Sequence, residues 1–176
     1  MLHSLVHLAI AVILLASSAS LTIADEVIRT DANLVTALDV SDSIMRHEEW
    51  LELEGLAKAL LSAAVLDAIA GGRHGRIGFA VFTWSSAGRF EVLVPWTLIG
   101  SIDDAERVAT ALRAFEIDRS SWARHGNGSN GRPIRSDFQT DVSGAIDFAV
   151  NLALVAPYAS PRPVINICAN GRDNVR

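Results

Sequence analysis

Residues 33–40 (NLVTALDV) constrain the fold of this chain most, because apolar side chains occupy nearly every position of the segment. A strand with one face in water alternates apolar and polar residues, whereas a strand covered by helices on both faces is apolar almost throughout. The segment therefore predicts a buried strand in a parallel sheet, with a layer of helices on each side.

Helical and strand patterns follow this segment in turn. Between residues 53 and 68 apolar residues recur at three- and four-residue spacing until Gly71 and Gly72 interrupt them, which predicts one helix. The next two segments, RIGFAVFTW (76–84) and RFEVLVPW (89–96), are rich in β-branched and aromatic residues and predict strands. Their link has the length of a hairpin loop, so we expect the two strands to be antiparallel neighbours.

Two further helices and a last strand complete the pattern. Ser101 and Asp104 have the spacing of a capping box, so they predict the start of a helix. Thr140 is expected to cap another helix, with Asp141 in its first turn, and VINIC (164–168) predicts a second buried strand. This order predicts an α/β domain of three layers, built on a largely parallel sheet with one antiparallel edge hairpin.

The first two dozen residues differ in kind from the rest. An apolar run at residues 8–16 is followed by small residues and by Thr22, Ile23 and Ala24, a pattern typical of a signal peptide cleaved after Ala24. We therefore expect a signal peptide at 1–24, one domain at 25–176, and export to the periplasm or beyond the cell. The alternative is an uncleaved membrane anchor, because no Lys or Arg precedes the apolar run.

Composition excludes several classes of function. The net charge is -5 and the 15 Lys and Arg residues are scattered, so the sequence gives no sign of a surface for nucleic acid. A single cysteine, Cys168, allows neither an internal disulfide nor a cysteine-based zinc site. We expect no nucleic-acid partner and, once the signal peptide is removed, no membrane span.

Polar side chains follow the first predicted strand directly. Asp39, Ser41 and Ser43 occur at every second position where that strand ends. Ligands of open parallel sheets bind beyond the carboxyl ends of the strands, where Thr140 at a helix start and Asn170 after the last strand are also expected. Hard divalent cations such as Mg²⁺ prefer oxygen ligands. The pattern therefore predicts a metal-dependent ligand site.

The segment DVSDS (residues 39–43) resembles the Asp-x-Ser-x-Ser signature of von Willebrand factor A domains. The metal-ion-dependent adhesion site of that family also takes a Thr from a later loop and an Asp after a later strand. The resemblance implies a von Willebrand A-like fold and a site for Mg²⁺, Mn²⁺ or Ca²⁺ formed by Asp39, Ser41, Ser43, Thr140 and the residue at position 170. The segments GGRHGRIGFAVFTWSSAG (71–88), VPWTLI (94–99) and TDVSGAIDFA (140–149) resemble, more narrowly, a bacterial group of exported domains of this fold with no assigned function.

Asn170 departs from that family pattern, which would have an Asp at this position. An amide in place of a unit charge is expected to weaken the binding of a divalent ion, although Asn can still ligate through its carbonyl oxygen or through water. Asp137, Asp141 and Asp173 are candidates to supply the missing charge. A domain of the family would also continue past Arg176, so we expect the domain to be incomplete at its carboxyl terminus.

These features predict a non-catalytic binding module and not an enzyme. An ion held by one carboxylate and neutral hydroxyls remains electrophilic, so we expect it to capture an acidic group of an unidentified protein partner, with the loop at 116–139 shaping specificity. Three alternatives remain open. Asp39 could serve a phosphoryl-transfer hydrolase, although Ser41 stands where that chemistry requires a second Asp; the domain could be a degenerate copy without metal; and Asp39 could cap the following helix through Ser41 and Ser43.

Overall fold

A computed structural model describes residues 27–41, 44–86, 88–115 and 140–170 of the chain. These ranges form four strands and four helices. In chain order the elements are β1 (Asn33–Asp39), α1 (Arg46–Leu60), α2 (Ala63–Ala70), β2 (Ile77–Trp84), β3 (Phe90–Ile99), α3 (Ile102–Ala114), α4 (Val142–Leu154) and β4 (Pro163–Cys168). The predicted signal peptide and the predicted binding loop at 116–139 lie outside the described residues. Within those residues, no helix combines the length and the apolar character that crossing a membrane requires.

The four strands form one sheet in the order β3-β2-β1-β4. β1 lies inside the sheet and pairs in parallel with β2 and with β4, while β2 and β3 are antiparallel neighbours. Nearly every residue of β1 is buried, as its continuous apolar pattern predicted. The largely parallel sheet and its antiparallel edge hairpin are therefore confirmed.

Helices cover both faces of the sheet. On one face, α1 and α3 pack over a buried cluster that includes Leu38, Leu53, Phe79, Val81 and Leu112. On the other face, α4 packs over Val35, Ala37, Phe82 and Trp84 through its own Ala145 and Ala149. Burial of a Val, Leu or Phe side chain contributes about 1.5–3 kcal/mol. The two apolar layers thus hold β1, and with it the residue at its carboxyl end, in a fixed position.

The single helix predicted across residues 53–68 is wrong, because the chain forms two helices that are broken at Leu61 and Ser62. Ser62 is extended, and its hydroxyl accepts a hydrogen bond from the Val65 backbone N–H at 3.4 Å. A serine that takes a backbone donor in this way starts a new helix. The apolar periodicity continues across the break, which is why the pattern alone did not reveal it.

The start of α3 is confirmed, whereas the cap predicted for α4 is wrong by one residue. The Ser101 hydroxyl accepts from the Asp104 N–H at 3.2 Å and donates to the Asp104 carboxylate at 2.8 Å. At α4 the N-cap is Asp141, whose Oδ1 accepts from the Gly144 N–H at 2.8 Å. Asp ranks above Thr as an N-cap, so the Thr140 side chain is not required for that task.

Candidate metal centre

Asp39 is the last residue of β1 and lies at the carboxyl edge of the sheet. Its Cα partner on β2 is Trp84, and the Val40 backbone N–H donates to the Trp84 carbonyl at 2.8 Å just beyond it. The Asp39 residue is 0% exposed. Asp39 is paired with β2, and the residue before it, Leu38, is paired with both β2 and β4, so the backbone that leads to this carboxylate is held on both sides.

The two oxygens of the Asp39 carboxylate have different surroundings. Oδ1 accepts a hydrogen bond from the Ser41 backbone N–H at 2.8 Å, whereas Oδ2 is buried and has no hydrogen-bond partner within the described part of the chain. Burial raises the pKa of Asp39 above its ordinary value, and the Ser41 backbone, the Ser41 hydroxyl and the Asn170 backbone offset part of that increase. A buried acceptor without a donor costs about 1–3 kcal/mol. Oδ2 is therefore the atom at this edge that a cation would satisfy.

Ser41 and Thr140 lie at the same edge as Asp39. Ser41 is 1% exposed and Thr140 is 4% exposed. The Asp141 N–H, next to Thr140, donates to the Ser85 carbonyl at 3.0 Å, and Ser85 directly follows β2, the parallel neighbour of β1. The fold thus brings an acidic residue, a serine and a threonine to the ends of two adjacent strands.

The remaining predicted site residues are Asn170, Ser43 and the acids that could supply the charge that Asn170 lacks. Asn170 lies just past β4, where it is exposed, and its backbone is close enough to Asp39 to lower the pKa of that carboxyl. Ser43 lies outside the described residues, as do Asp137 and Asp173. Asp141 caps α4 through Oδ1 of its carboxylate.

Asp39 does not cap the helix that follows it. The N-cap of α1 is Met45, whose backbone N–H donates to the Glu48 carboxylate at 2.8 Å. The first turn of α1 therefore closes on its own residues. The proposed structural role of Asp39 as a helix cap is wrong, which leaves its buried Oδ2 without an explanation from α1.

Three residues at this edge were missed by the sequence analysis. Ser85 and Ser86, 3% and 2% exposed, follow β2 directly, but in the sequence they form part of a hairpin link. Glu52 lies half-buried on α1; burial raises its pKa, and the charges of Asp39 and Glu48 raise it further. The signal for Glu52 was its place four residues before Leu56, on the apolar stripe of the helix.

Cys168 lies beside this edge and carries a free, half-buried thiol. Its Cα partner is Leu38, and its side chain packs against the cluster under α1. Burial raises the pKa of the thiol, and the charge of Glu52 adds to that increase. A raised pKa lowers the fraction of thiolate, which is the form that acts as a nucleophile or as a metal ligand.

Asp39, Ser41 and Thr140 carry side-chain oxygens of the kind that hard divalent cations prefer. Among the residues that the structure describes, no three His, Cys, Asp or Glu side chains lie close enough together to hold a metal ion. An ion here would therefore depend on the hydroxyls of Ser41 and Thr140 beside Asp39 Oδ2. These are the oxygen donors that Mg²⁺ accepts while it keeps several of its waters, and the orphaned Oδ2 is an atom that such an ion satisfies.

A cavity of about 550 Å³ lies between α4 and β4, away from this edge. Its lining includes Asn33, Val150, Leu154, Tyr158 and Ile165. Asn33 is the first residue of β1 and Asp39 the last, and a strand rises about 3.3 Å per residue. The cavity and the polar edge therefore stand at opposite ends of the central strand, and the cavity is not part of the candidate site.

Most of the chain is similar to a protein family and to solved structures. The model of a family described as a protein of unknown function, DUF1194, matches residues 29–176. No curated protein matches the chain at a significant level. Among solved structures, the chain is similar to proximal thread matrix protein 1 from the mussel byssus, with a TM-score of 0.54 and 14% sequence identity over 85% of this chain and 33% of that one. This chain therefore spans about a third of the mussel protein. The similarity concerns the fold alone and agrees with the predicted von Willebrand A-like, Rossmann-type architecture.

Proposed function

Because the chain belongs to the DUF1194 family of proteins of unknown function, we propose its role from its own site: a non-catalytic binding module of the von Willebrand A type. In this proposal Asp39, Ser41 and Thr140, with Ser43 and Asn170, hold a divalent cation through which the protein captures an acidic group of a protein partner. The observation that carries the proposal is the buried Oδ2 of Asp39, which has no hydrogen-bond partner within the described residues.

In this proposal each side chain contributes to cation binding according to its chemistry. Asp39 supplies the negative charge, and its Oδ1 is held by the Ser41 N–H at 2.8 Å so that Oδ2 keeps a constant direction. The hydroxyls of Ser41 and Thr140 add oxygen donors without adding charge. A bound Mg²⁺ or Mn²⁺ supplies an electrophilic centre, since few anionic ligands surround it. A carboxylate of the partner is the ligand that such a centre attracts most strongly.

The residue at position 41 favours binding over phosphoryl transfer. A nucleophilic carboxylate must reach the phosphorus of its substrate, and Asp39 Oδ1 already accepts a hydrogen bond from the Ser41 N–H. Position 41 carries a hydroxyl where that chemistry requires a general acid. We therefore infer that the protein does not hydrolyse phosphate esters. Turnover of an aryl phosphate that is lost in Asp39→Asn would overturn this inference.

The site of action that we propose is outside the cytoplasm. The support is the apolar run at 8–16 followed by small residues up to Ala24. Sequencing the amino terminus of the protein recovered from the periplasm tests this directly. A mature chain that begins at Asp25 supports export, whereas recovery of the full chain in the membrane fraction supports the uncleaved anchor.

Calorimetric titration with Mg²⁺ and Mn²⁺ tests the metal site. We expect the native protein to take up one ion and Asp39→Ala to take up none. The matched control is Asp147→Ala, which removes the same charge from an exposed position on α4 and should leave ion uptake unchanged. If the native protein takes up neither ion, the proposed metal site is wrong and the degenerate domain becomes the better description.

Capture of an acidic group needs a second measurement. Peptides that differ only by Glu and Gln can be compared for binding to the immobilised protein in Mg²⁺ and in EDTA. We expect the Glu peptide to bind better than the Gln peptide in Mg²⁺ alone. Equal binding of both peptides, in a protein that does take up Mg²⁺, would refute acid capture while leaving the metal site intact.

A further inference from the structure

The strand β4 forms one edge of the sheet, and within the described part of the chain no strand pairs with its outer side. The Asn33 N–H of β1 donates to the Arg162 carbonyl at 3.0 Å, and Asn33 and Pro163 are Cα partners. In a parallel pair of this register, the backbone N–H and C=O groups of the even-numbered residues of β4 point toward β1. The backbone groups of Ile165 and Ile167 therefore point outward, where a further strand can pair with them.

The two edges of the sheet differ in the features that prevent a strand from pairing with another chain. Proteins protect such edges with charged residues, prolines within the strand and irregular backbone. The strand at the other edge, β3, carries Glu91 and Pro95 in its interior, and its pairing with β2 is irregular between Phe79 and Phe82. In contrast, β4 carries no charged residue, and its proline is at the first position. Of these two edges, β4 is the one that is open to pairing.

An exposed apolar stripe on α4 adjoins the same edge. Ile146, Val150 and Leu154 recur at four-residue spacing, and all three are exposed. Val150 and Leu154 line the cavity between α4 and β4 together with Ile165, which is also exposed. Asp147 is the single charged residue of α4. Contiguous exposed apolar surface of this kind marks a site of protein interaction.

The spacing of these elements fits a second copy of the same chain. The helix α4 packs over both β1 and β4, and neighbouring strands lie about 4.8 Å apart. When two copies pair through β4, their α4 helices are separated by two strand spacings, about 9.6 Å, which lies within the range of about 8–10 Å at which helices pack. A peptide strand alone would pair with β4 but would leave the stripe on α4 uncovered. A second copy covers both surfaces at once.

The backbone favours one register for this pairing. An antiparallel arrangement around a two-fold axis at Asn166 places the outward groups of Ile165 opposite those of Ile167 of the second copy, so that each N–H meets a C=O. An axis at Ile165 would oppose Ile167 to Pro163, which has no N–H. An axis at Ile167 would oppose Ile165 to Ala169, beyond the end of the strand. At the favoured axis the two exposed Asn166 side chains are neighbours, and one amide can donate to the other.

We propose that the protein forms a symmetric dimer in which two β4 strands pair antiparallel and join the four-stranded sheets of two copies into one. The stripe on α4 is buried against the same stripe of the second copy. This inference does not depend on the metal site, but it has a consequence for that site. Because the paired strands run in opposite directions, the two Asp39 edges lie at opposite ends of the dimer and can each engage a partner.

Sedimentation velocity of the purified protein tests the dimer, and charged variants locate its interface. We expect the native protein to sediment as a dimer. Ile165→Lys and Leu154→Lys each place an unpaired charge in the interface, so the dissociation constant of the dimer should rise by about a hundredfold or more. The matched control is Val92→Lys at an exposed position of the other edge strand, β3, which should remain dimeric. Far-UV circular dichroism shows whether each variant keeps its fold.

A cysteine at the two-fold axis tests the register without adding a charge. Opposed residues that do not hydrogen-bond to each other in an antiparallel pair have Cα atoms about 4.5 Å apart, a distance that a disulfide can span. In a Cys168→Ser background, Asn166→Cys should therefore form an intermolecular disulfide on mild oxidation, much faster than the control Glu91→Cys on β3.

Three results would overturn the proposal. The first is a native protein that sediments as a monomer. The second is a dimer that folded Ile165→Lys and Leu154→Lys both leave intact. The third is cross-linking of Asn166→Cys that is no faster than that of Glu91→Cys, and this comparison decides the matter if the two Lys variants do not fold.

Discussion

Replacing Asp39 by Asn should stabilise the metal-free protein while abolishing its response to Mg²⁺. The native carboxylate is 0% exposed, and its Oδ2 has no hydrogen-bond partner within the described residues. Such a group costs about 1–3 kcal/mol when neutral and more when charged. Asn keeps an oxygen that can accept from the Ser41 N–H but carries no charge. Allowing for its own buried NH₂ group, we expect a gain of about 1–2 kcal/mol.

The gain can be converted into a melting temperature. For a domain of this size, a change of 1 kcal/mol moves the midpoint by about 2–4 °C, so Asp39→Asn in EDTA should melt about 2–8 °C above the native protein. In Mg²⁺ at a hundred times its dissociation constant, the native protein should gain about 2.7 kcal/mol and the variant nothing. The native protein should therefore melt below the variant in EDTA and above it in Mg²⁺.

Differential scanning calorimetry in EDTA and in Mg²⁺ checks both halves of this prediction. The control is Asp147→Asn, the same substitution at an exposed position of α4, which should change neither midpoint appreciably. A variant that melts below the native protein in EDTA would show that the buried carboxylate is satisfied in a way that the structure does not account for. An undiminished Mg²⁺ shift in Asp39→Asn would place the ion elsewhere.

Three further outcomes follow from the same contacts. In EDTA the unfolding free energy should fall as the pH rises above about 4–5, because the folded-state pKa values of Asp39 and Glu52 are raised above the ordinary 3.8 and 4.5. Over that interval the folded protein binds more protons than the unfolded chain. Chemical denaturation at several pH values from about 5 to 8 should show that the unfolding free energy of Asp39→Asn depends less on pH than that of the native protein. Gly55→Ala, in the middle of α1 where an added Cβ meets open space, should stabilise the protein by about 0.5–1 kcal/mol. Gly88→Ala, at a φ of 76° in the hairpin, should destabilise it by about 1–2 kcal/mol. The urea concentration at the unfolding midpoint should therefore rise for the first variant and fall for the second. Asp141→Ala removes the N-cap of α4 and should cost about 1 kcal/mol, visible as a melting temperature about 2–4 °C lower.

Local patterns were sufficient for most of the fold. The continuous apolar run of β1 predicted a strand buried on both faces, and the short link between the next two strands predicted their antiparallel pairing; both are confirmed. These predictions succeeded because burial and turn length are set by neighbouring residues. The helix break at Ser62 and the Asp141 cap were mispredicted, since both depend on which side-chain oxygen takes a backbone donor, and several candidates stood within one turn.

The candidate site required the tertiary structure. The sequence by itself determined that an acid and hydroxyls follow a buried strand, and the strand order then brought Thr140 and the end of β4 to the same edge. Only the packed structure decided that Asp39 Oδ2 is buried with no hydrogen-bond partner among the described residues and that Glu52 on α1 is half-buried. Residues 39 and 52 lie on different elements, and their distance depends on how α1 packs against the sheet. Periodicity along one helix can indicate which face turns inward, but it carries no information about which strand end that face will meet.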